Sequence, residues 1–278
     1  MNENTIHEHI LVTGGTGMTG RRVTALLTEA GVRVRVGSRA GEPRFDWHEP
    51  STWDAVLDGV TGVYLCYHPD LAFPGAAEAV TAFAERAAAA GVRRMALLSG
   101  RGEKGAQNTE DMVLAAFPDT TVLRCSVFAQ DFSESFFLPP LLEGALVLPM
   151  PDIPEPFVDL DDVARVAVRS LTEDGHGGAI HELTGPEAIT FTEAVRVVGE
   201  VSGRQVRFQE VSAEEFVATM ASAGAPEELA HGLVGLLEEI LDGRNVEPTD
   251  GIERVLGRPA TPFAEYARRA ADAWRQVD

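Results

Sequence analysis

The sequence is poor in cysteine and has no long apolar segment. Only Cys66 and Cys125 occur among its 278 residues, both within apolar runs typical of buried strands. Buried free thiols fit a reducing compartment better than a disulfide does, and nothing near either cysteine resembles an activating histidine pair. No apolar run approaches the roughly 20 residues of a membrane span, and the N-terminus lacks the charged-then-apolar pattern of a secretion signal. We therefore expect a cytoplasmic protein with no membrane partner.

Basic residues are also scarce. The chain carries 23 Lys and Arg against 43 Asp and Glu, which gives a formal net charge of −20. Such a field repels nucleic acid and anionic surfaces, and no basic run compensates for it. We therefore expect no nucleic-acid partner, although an acidic balance also serves solubility. Hydrophobic residues make up 45% of the chain, which is enough for a sizeable core.

What the chain does contain is a glycine motif between a predicted strand and a predicted helix. Residues 9–13 form an apolar run, Gly14, Gly17 and Gly20 follow it, and apolar residues then recur with helical spacing. In dinucleotide-binding folds such glycines make the sharp exit from the strand, let the backbone approach a pyrophosphate and let the helix pack closely. The helix N-terminus offers free N–H groups to the phosphates. The motif predicts a dinucleotide site rather than a structural turn.

The second predicted strand, residues 32–36, ends without an acidic residue. An Asp or Glu there would accept a hydrogen bond from a free 2′-hydroxyl and indicate NAD(H), but the first acid is Glu42. Arg39 can pair with a 2′-phosphate, and Ser38 can donate a hydrogen bond to it. A solvated arginine at a strand end is the alternative. We predict NADP(H) rather than NAD(H) as the cofactor.

Residues 43–48 are predicted to form a third, short strand beside the adenine. Asp46 would accept a hydrogen bond from the adenine amino group, and Trp47 would form an apolar wall. A structural role for Asp46 is the alternative.

Tyr67, His68 and Ser99 stand at the ends of later strands. The ligand crevice of an open α/β sheet lies outside the carboxyl ends of its strands, so Tyr67 and His68 are candidates for the junction of cofactor and substrate. A lone histidine is more often a polar loop residue. Ser99 ends the next predicted strand in the same way.

Strand and helix patterns alternate through the first 125 residues. This alternation predicts a parallel sheet with right-handed crossovers, a Rossmann-type doubly wound α/β fold. Phenylalanines and prolines then fill residues 128–157, and helical patterns return after residue 184. We predict a single NAD(P)-binding Rossmann-like domain over residues 1–278, with a small C-terminal α+β substrate lobe built from about 128–157 and 184–278. Asp159 or Asp161 is predicted to cap a helix.

Taken together, these segments resemble the NmrA-like family of atypical short-chain dehydrogenases/reductases, which includes triphenylmethane reductases and NADPH-dependent quinone reductases. The resemblance covers nearly the whole chain and implies NADP(H) binding, with Arg39 on the 2′-phosphate and a substrate cleft between sheet and lobe. The segments that carry it are residues 12–20, 37–39, 97–99, Glu110 with 121–124, 157–164, 183–186 and 256–258.

The resemblance also implies roles for individual residues. The pyrophosphate would lie on Thr16, Gly17, Met18 and Thr19. Near the nicotinamide would lie Tyr67, His68 and Ser99. Near the substrate would lie Phe128, Gln130 and Phe132.

The chain departs from the extended short-chain dehydrogenases at their Tyr-x-x-x-Lys pair. In those enzymes the Tyr donates a proton, and the Lys lowers its pKa. If Glu110 is taken as the acid that falls four residues after that Lys, Ala106 stands at the Lys position and Gly102 at the Tyr position. Neither residue can donate a proton. Lys104 lies in a glycine-rich loop, which makes it a poorly positioned acid. The sequence thus assigns no catalytic residue and no metal ligand.

We expect an oxidoreductase that transfers hydride from NADPH to a small apolar conjugated acceptor, such as a quinone or a polycyclic metabolite. Delocalisation in such an acceptor stabilises the developing charge, so orientation matters more than a dedicated acid. The phenylalanines between residues 128 and 157 suit a flat ligand, or equally an ordinary core. Two alternatives stay open, a non-catalytic NADP-sensing regulator that acts through a protein partner and a non-redox tailoring enzyme.

Overall fold

The computed structural model describes residues 8–222 and 224–275. Its strands are β1 (His9–Thr13), β2 (Arg33–Gly37), β3 (Gly62–Leu65), β4 (Arg94–Gly100), β5 (Thr120–Cys125), β6 (Ala145–Leu148), β7 (Ile180–Leu183) and β8 (Arg207–Glu210). Its α-helices are α1 (Met18–Glu29), α2 (Trp53–Leu57), α3 (Ala76–Ala89), α4 (Lys104–Ala116), α5 (Asp131–Glu134), α6 (Leu138–Leu142), α7 (Leu160–Thr172), α8 (Phe191–Ser202), α9 (Ala213–Ser222), α10 (Glu227–Ile240), α11 (Gly251–Leu256) and α12 (Phe263–Ala270). Within this part of the chain, none of the helices has the length and apolarity that a membrane crossing needs.

Six strands form one parallel sheet in the order β2-β1-β3-β4-β5-β7. The strand order reverses between β1 and β3, because the chain first moves outward to β2 and then crosses to the other side. In open α/β sheets the ligand crevice lies outside the carboxyl ends of the strands at this switch point. The predicted Rossmann-type doubly wound fold is confirmed.

Helices cover both faces of this sheet, which explains why β1 and β3 are buried along their whole length. On one face, α2, α3 and α4 pack on the sheet around Trp53, Phe83 and Val113. On the other face, α1, α7 and α11 pack around Val23, Val166 and Ile252. Helix packing on both faces holds the carboxyl ends of the strands in fixed positions relative to each other.

A third core lies beside the sheet and joins the remaining elements. The short parallel pair β6 and β8, together with α5, α6, α8, α9, α10 and α12, packs around Phe132, Phe157 and Phe191. Helix α11 falls within the predicted lobe segment 184–278 but packs against the sheet instead.

The N-terminus of α7 connects the sheet to the C-terminal elements. Asp159 caps the helix by accepting from the backbone N–H of Asp161 at 2.9 Å, as predicted. The same carboxylate pairs with Arg269, and Asp162 pairs with Arg258. Asp159, Asp161 and Asp162 therefore anchor the C-terminal segment as well as the helix.

The prediction of a third strand at residues 43–48 is wrong. This segment is a loop, in which the N–H of Phe45 donates to the carbonyl of Ser38 at 2.9 Å. The Asp46 carboxylate accepts from the backbone N–H of His48 at 3.1 Å. Such a bond to the backbone two residues ahead turns the chain and prevents it from continuing as a strand.

Candidate active site

A cleft of about 600 Å³ runs along the carboxyl ends of β1 to β5. The loops that follow these strands form its floor, and α10 forms part of its opposite wall. The sheet thus supplies one side of the cleft and the C-terminal elements supply the other.

One end of the cleft is the glycine motif. Gly14 adopts a φ of +61°, which favours glycine and turns the chain sharply out of β1. A Cβ atom at Gly20 would lie 2.3 Å from the carbonyl oxygen of Gly14, so only glycine lets α1 approach β1 this closely. Gly20 is buried and does not line the cleft. Five other predicted residues line it, namely Gly14, Thr16, Gly17, Met18 and Thr19.

The start of α1 has the features of a phosphate site. Its N-cap is Gly17, whose position offers no side-chain cap, and its first turn holds no acidic residue. The N–H groups at the start of a helix have no partner within the helix, and the helix dipole favours an anion there. This end of the cleft fits the pyrophosphate of a dinucleotide.

Ser38 and Arg39 lie at the same end of the cleft, after β2. Arg39 is exposed, and it forms no hydrogen bond or ion pair with any residue that the structure describes. Arg44, five residues later, pairs with Asp46 and Glu49 instead. Arg39 is therefore a guanidinium available to a phosphate group.

Asp46 and Trp47 both line the cleft, but Asp46 is already engaged. Its carboxylate oxygens accept from Arg44 Nη2 at 2.8 Å and from the N–H of His48 at 3.1 Å. These contacts favour the structural role that the sequence left open. The Trp47 ring lies 5.2 Å from the Tyr67 ring, centroid to centroid, and forms an apolar wall with it.

His68 and Ser99 line the middle of the cleft, as does Tyr67. His68 is exposed. The hydroxyl of buried Ser99 donates to Glu110, which Arg124 holds through Nε at 2.8 and 3.0 Å. The Ser99 proton is therefore directed away from the cleft, and its oxygen is left to accept a hydrogen bond.

At the far end, the structure places only one of the three predicted substrate residues in the cleft. Phe128 lines it. Phe132 is instead fully buried in the third core beside the sheet, because α5 turns this ring inward against Phe157. Gln130 is buried too, and its amide binds the Asp159 carboxylate at 2.8 Å and the N–H of Leu160 at 2.9 Å.

Several apolar side chains that sequence reasoning did not select line this end of the cleft. Phe136 is 38% exposed there and Phe137 lies behind it. Helix α10 contributes Leu233, Leu236, Leu237 and Ile240. The helical spacing of these leucines predicts an amphipathic helix, but it does not indicate which face of that helix lines the cleft.

Sequence reasoning also missed a set of carboxyl groups that line the cleft. Burial raises the pKa of Glu103 to about 9. It raises the pKa of Asp131 to about 7 and that of Glu155 to about 7. Asp70 lines the cleft too. No motif marks these residues, because their burial depends on distant segments.

Both thiols also line the cleft and are free. Burial raises the pKa of Cys66 to about 11 and that of Cys125 still further. A thiolate is the nucleophilic form of cysteine, so neither residue is activated.

Comparison with known proteins agrees with this architecture. Residues 10–105 match the family model described as NAD dependent epimerase/dehydratase family. The chain is similar to the triphenylmethane reductase of Citrobacter sp. solved with NADP(H), with a TM-score of 0.73, 23% identity, and coverage of 94% of this chain and 99% of that one. It is also similar to the NADPH-dependent quinone oxidoreductase of Escherichia coli solved with NADPH, with a TM-score of 0.79, 24% identity, and coverage of 94% and 99%.

Sequence comparison extends the likeness over the whole chain. The chain is 32% identical over 276 residues to an uncharacterised oxidoreductase of Bacillus subtilis, YesF, which covers 95% of this chain and 96% of the relative. With this relative and the shared fold, the chain belongs to the NmrA-like family of atypical short-chain dehydrogenases/reductases.

Proposed function

We propose that the protein is an NADP(H)-dependent reductase that transfers hydride to a small, apolar, conjugated acceptor. The observation that carries the proposal is the shape of one continuous cleft. It joins a helix N-terminus and an available arginine at one end to an apolar pocket at the other.

The phosphate end supports NADP(H) in particular. The first-turn N–H groups of α1 would bind the pyrophosphate. Arg39 would pair with the 2′-phosphate, with Ser38 as a hydrogen-bond donor. When bound, NADPH supplies the hydride. The two solved structures named above were obtained with NADP(H) and NADPH, which supports the same cofactor here.

The apolar end supports a flat conjugated acceptor. Aromatic rings and leucines surround it, while Ser99 and Tyr67 lie between it and the phosphate end. Pockets of this kind orient a ligand by shape, with few polar contacts. The acceptors named for the two similar structures, a triphenylmethane dye and a quinone, share this chemistry.

The positions counted back from Glu110 support a mechanism without the usual Tyr and Lys. Gly102 has a φ of +85°, and a Cβ atom there would lie 2.1 Å from Nδ2 of Asn245. No tyrosine fits at this position unless Asn245 moves. Ala106 is fully buried in the core under the sheet.

The proposal is tested by measuring acceptor-dependent oxidation of NADPH with purified protein. The panel contains a benzoquinone, a naphthoquinone and a cationic triphenylmethane dye, each with NADPH and with NADH. We expect turnover with NADPH to exceed turnover with NADH for at least one acceptor. A protein that binds NADPH but reduces no member of the panel would contradict the proposal.

A further inference from the structure

Glu103 holds a carboxyl group against the backbone at the end of β4. The residue is 6% exposed and lines the cleft. A Cβ atom at Gly100 would lie 1.8 Å from Oε1 and 2.7 Å from Oε2 of Glu103. The carboxyl group thus occupies the space that any other side chain at position 100 would fill, one residue beyond Ser99.

One oxygen of this carboxyl group has no hydrogen-bond donor. Oε2 of Glu103 is buried, and no residue in the described ranges donates to it. A buried carboxylate oxygen without a donor is costly, whereas a carboxylic acid carries its own proton to an acceptor. The carboxyl group of Asp70, in the loop after β3, lies near enough to raise the pKa of Glu103.

The charged and titratable groups around Glu103 also favour its protonated form. Asp70, Glu239 on α10 and Glu110 on α4 all disfavour a further negative charge, and burial raises the pKa of Glu103 to about 9. The thiol of Cys125, on β5, faces it as well.

The nearby arginines are engaged elsewhere. Arg124 pairs with Glu110. Arg101 pairs with Glu182 at 3.2 Å and donates to the carbonyl of Asn245 at 2.7 Å.

We propose that Glu103 is the proton donor of this enzyme, a proposal that rests on the reductase function proposed above. For a quinone, the hydride leaves a C–H bond of NADPH with its electron pair and forms a C–H bond at a carbonyl carbon, and the electrons of that C=O π bond move onto the oxygen. That oxygen takes the proton of Glu103, so an O–H bond forms as the O–H bond of the acid breaks. Glu103 is left as a carboxylate, and it regains a proton from water.

This assignment gives the site an acid where the usual tyrosine is missing. Glu103 is adjacent to Gly102, the position counted for that tyrosine. A carboxylic acid that stays protonated at neutral pH can protonate an oxygen that gains negative charge during reduction.

Whether Glu103 is protonated is tested by infrared difference spectroscopy of the cofactor-free protein at pH 8. At this pH Asp131 and Glu155, each with a pKa of about 7, are mostly ionised, whereas Glu103 keeps its proton. We expect wild type to show a carboxylic acid C=O band that Glu103→Gln lacks. The exposed control Glu238→Gln keeps the band. A wild-type spectrum identical to that of Glu103→Gln would overturn the proposal.

The role in reduction is tested by comparing two acceptors. A quinone needs a proton as well as a hydride, whereas a cationic triphenylmethane dye becomes neutral on accepting a hydride alone. General acid catalysis contributes ~10²–10⁴-fold, so Glu103→Gln should lose ~10²-fold or more with the quinone relative to its loss with the dye. An equal loss with both acceptors indicates a structural role and overturns the proposal. If wild type reduces neither acceptor, the proposed function fails instead.

Discussion

At the scale of single residues, the structure separates side chains with similar sequence signals by their partners. Arg39 and Arg44 both follow β2, yet Arg44 is bound to Asp46 and Glu49 while Arg39 is available. Ser99 lies near the carboxyl end of β4 and Glu103 just after it, yet Ser99 directs its proton to Glu110. These differences decide which residues can act on a ligand.

The available guanidinium of Arg39 leads to a prediction about cofactor choice. Replacing Arg39 by Ala should weaken NADPH binding by roughly 1.5–3 kcal/mol, the value of a charge-assisted contact, and leave NADH binding unchanged. Isothermal titration calorimetry with both cofactors measures this. Arg44→Ala is the matched control and should change neither affinity. An equal loss for NADPH and NADH would remove the role assigned to Arg39.

At the scale of elements, the placement of α1 against β1 depends on a single glycine. Any side chain at Gly20 would collide with the backbone of Gly14, which has no freedom to move without disturbing the turn. On α10, by contrast, Gly235 is exposed, and a Cβ atom there would meet nothing within 4 Å.

This contrast predicts the outcome of two alanine substitutions. Gly20→Ala should destabilise the fold by about 1–3 kcal/mol through overpacking and should weaken NADPH binding, because it displaces the N-terminus of α1. Gly235→Ala should be neutral or stabilise by up to about 1 kcal/mol, because alanine is the better helix former. Urea unfolding of each variant provides the comparison. A Gly20→Ala protein as stable as wild type would show that α1 tolerates the shift.

Sequence patterns predicted the elements of the sheet well and the far end of the cleft poorly. The alternation of apolar strands and amphipathic helices is local, so it identified β1 to β5 and the parallel sheet that they form. Whether Phe132 faces the cleft or the core depends on how α5 packs against Phe157 and Phe191. The surroundings of Glu103 include α10, where Glu239 accepts from the N–H of Lys104 although it lies more than a hundred residues away. Such contacts leave no periodic signal.

At the scale of the whole molecule, buried acids make stability depend on pH. A carboxyl group whose pKa is raised by folding stabilises the protein below its ordinary pKa, and this contribution is lost as pH rises through the raised value. For Asp131 and Glu155 the loss is complete near pH 7, whereas for Glu103 it continues from its ordinary value of 4.5 to about 9. Below pH 6.5, His9 and His181 oppose this trend because folding lowers the pKa of each.

Between pH 7 and 9, Glu103 should therefore dominate the pH dependence. We expect the Tm of wild type to fall across this interval, by an amount that corresponds to about 1 kcal/mol per pH unit. In Glu103→Gln the fall should be largely absent. Differential scanning calorimetry at closely spaced pH values measures both slopes, with Glu238→Gln as the control. Parallel slopes for wild type and Glu103→Gln would show that Glu103 is ionised throughout.

The ion pairs at the start of α7 have a consequence for how the protein is made. Asp162 and Asp159 bind Arg258 and Arg269, which lie 96 and 110 residues further along the chain. A ribosome therefore releases the glycine motif and the whole of β1 to β5 well before it releases the two arginines. During synthesis the nascent chain can assemble its phosphate-binding half first. The C-terminal wall of the cleft is fastened only when the last helix has emerged.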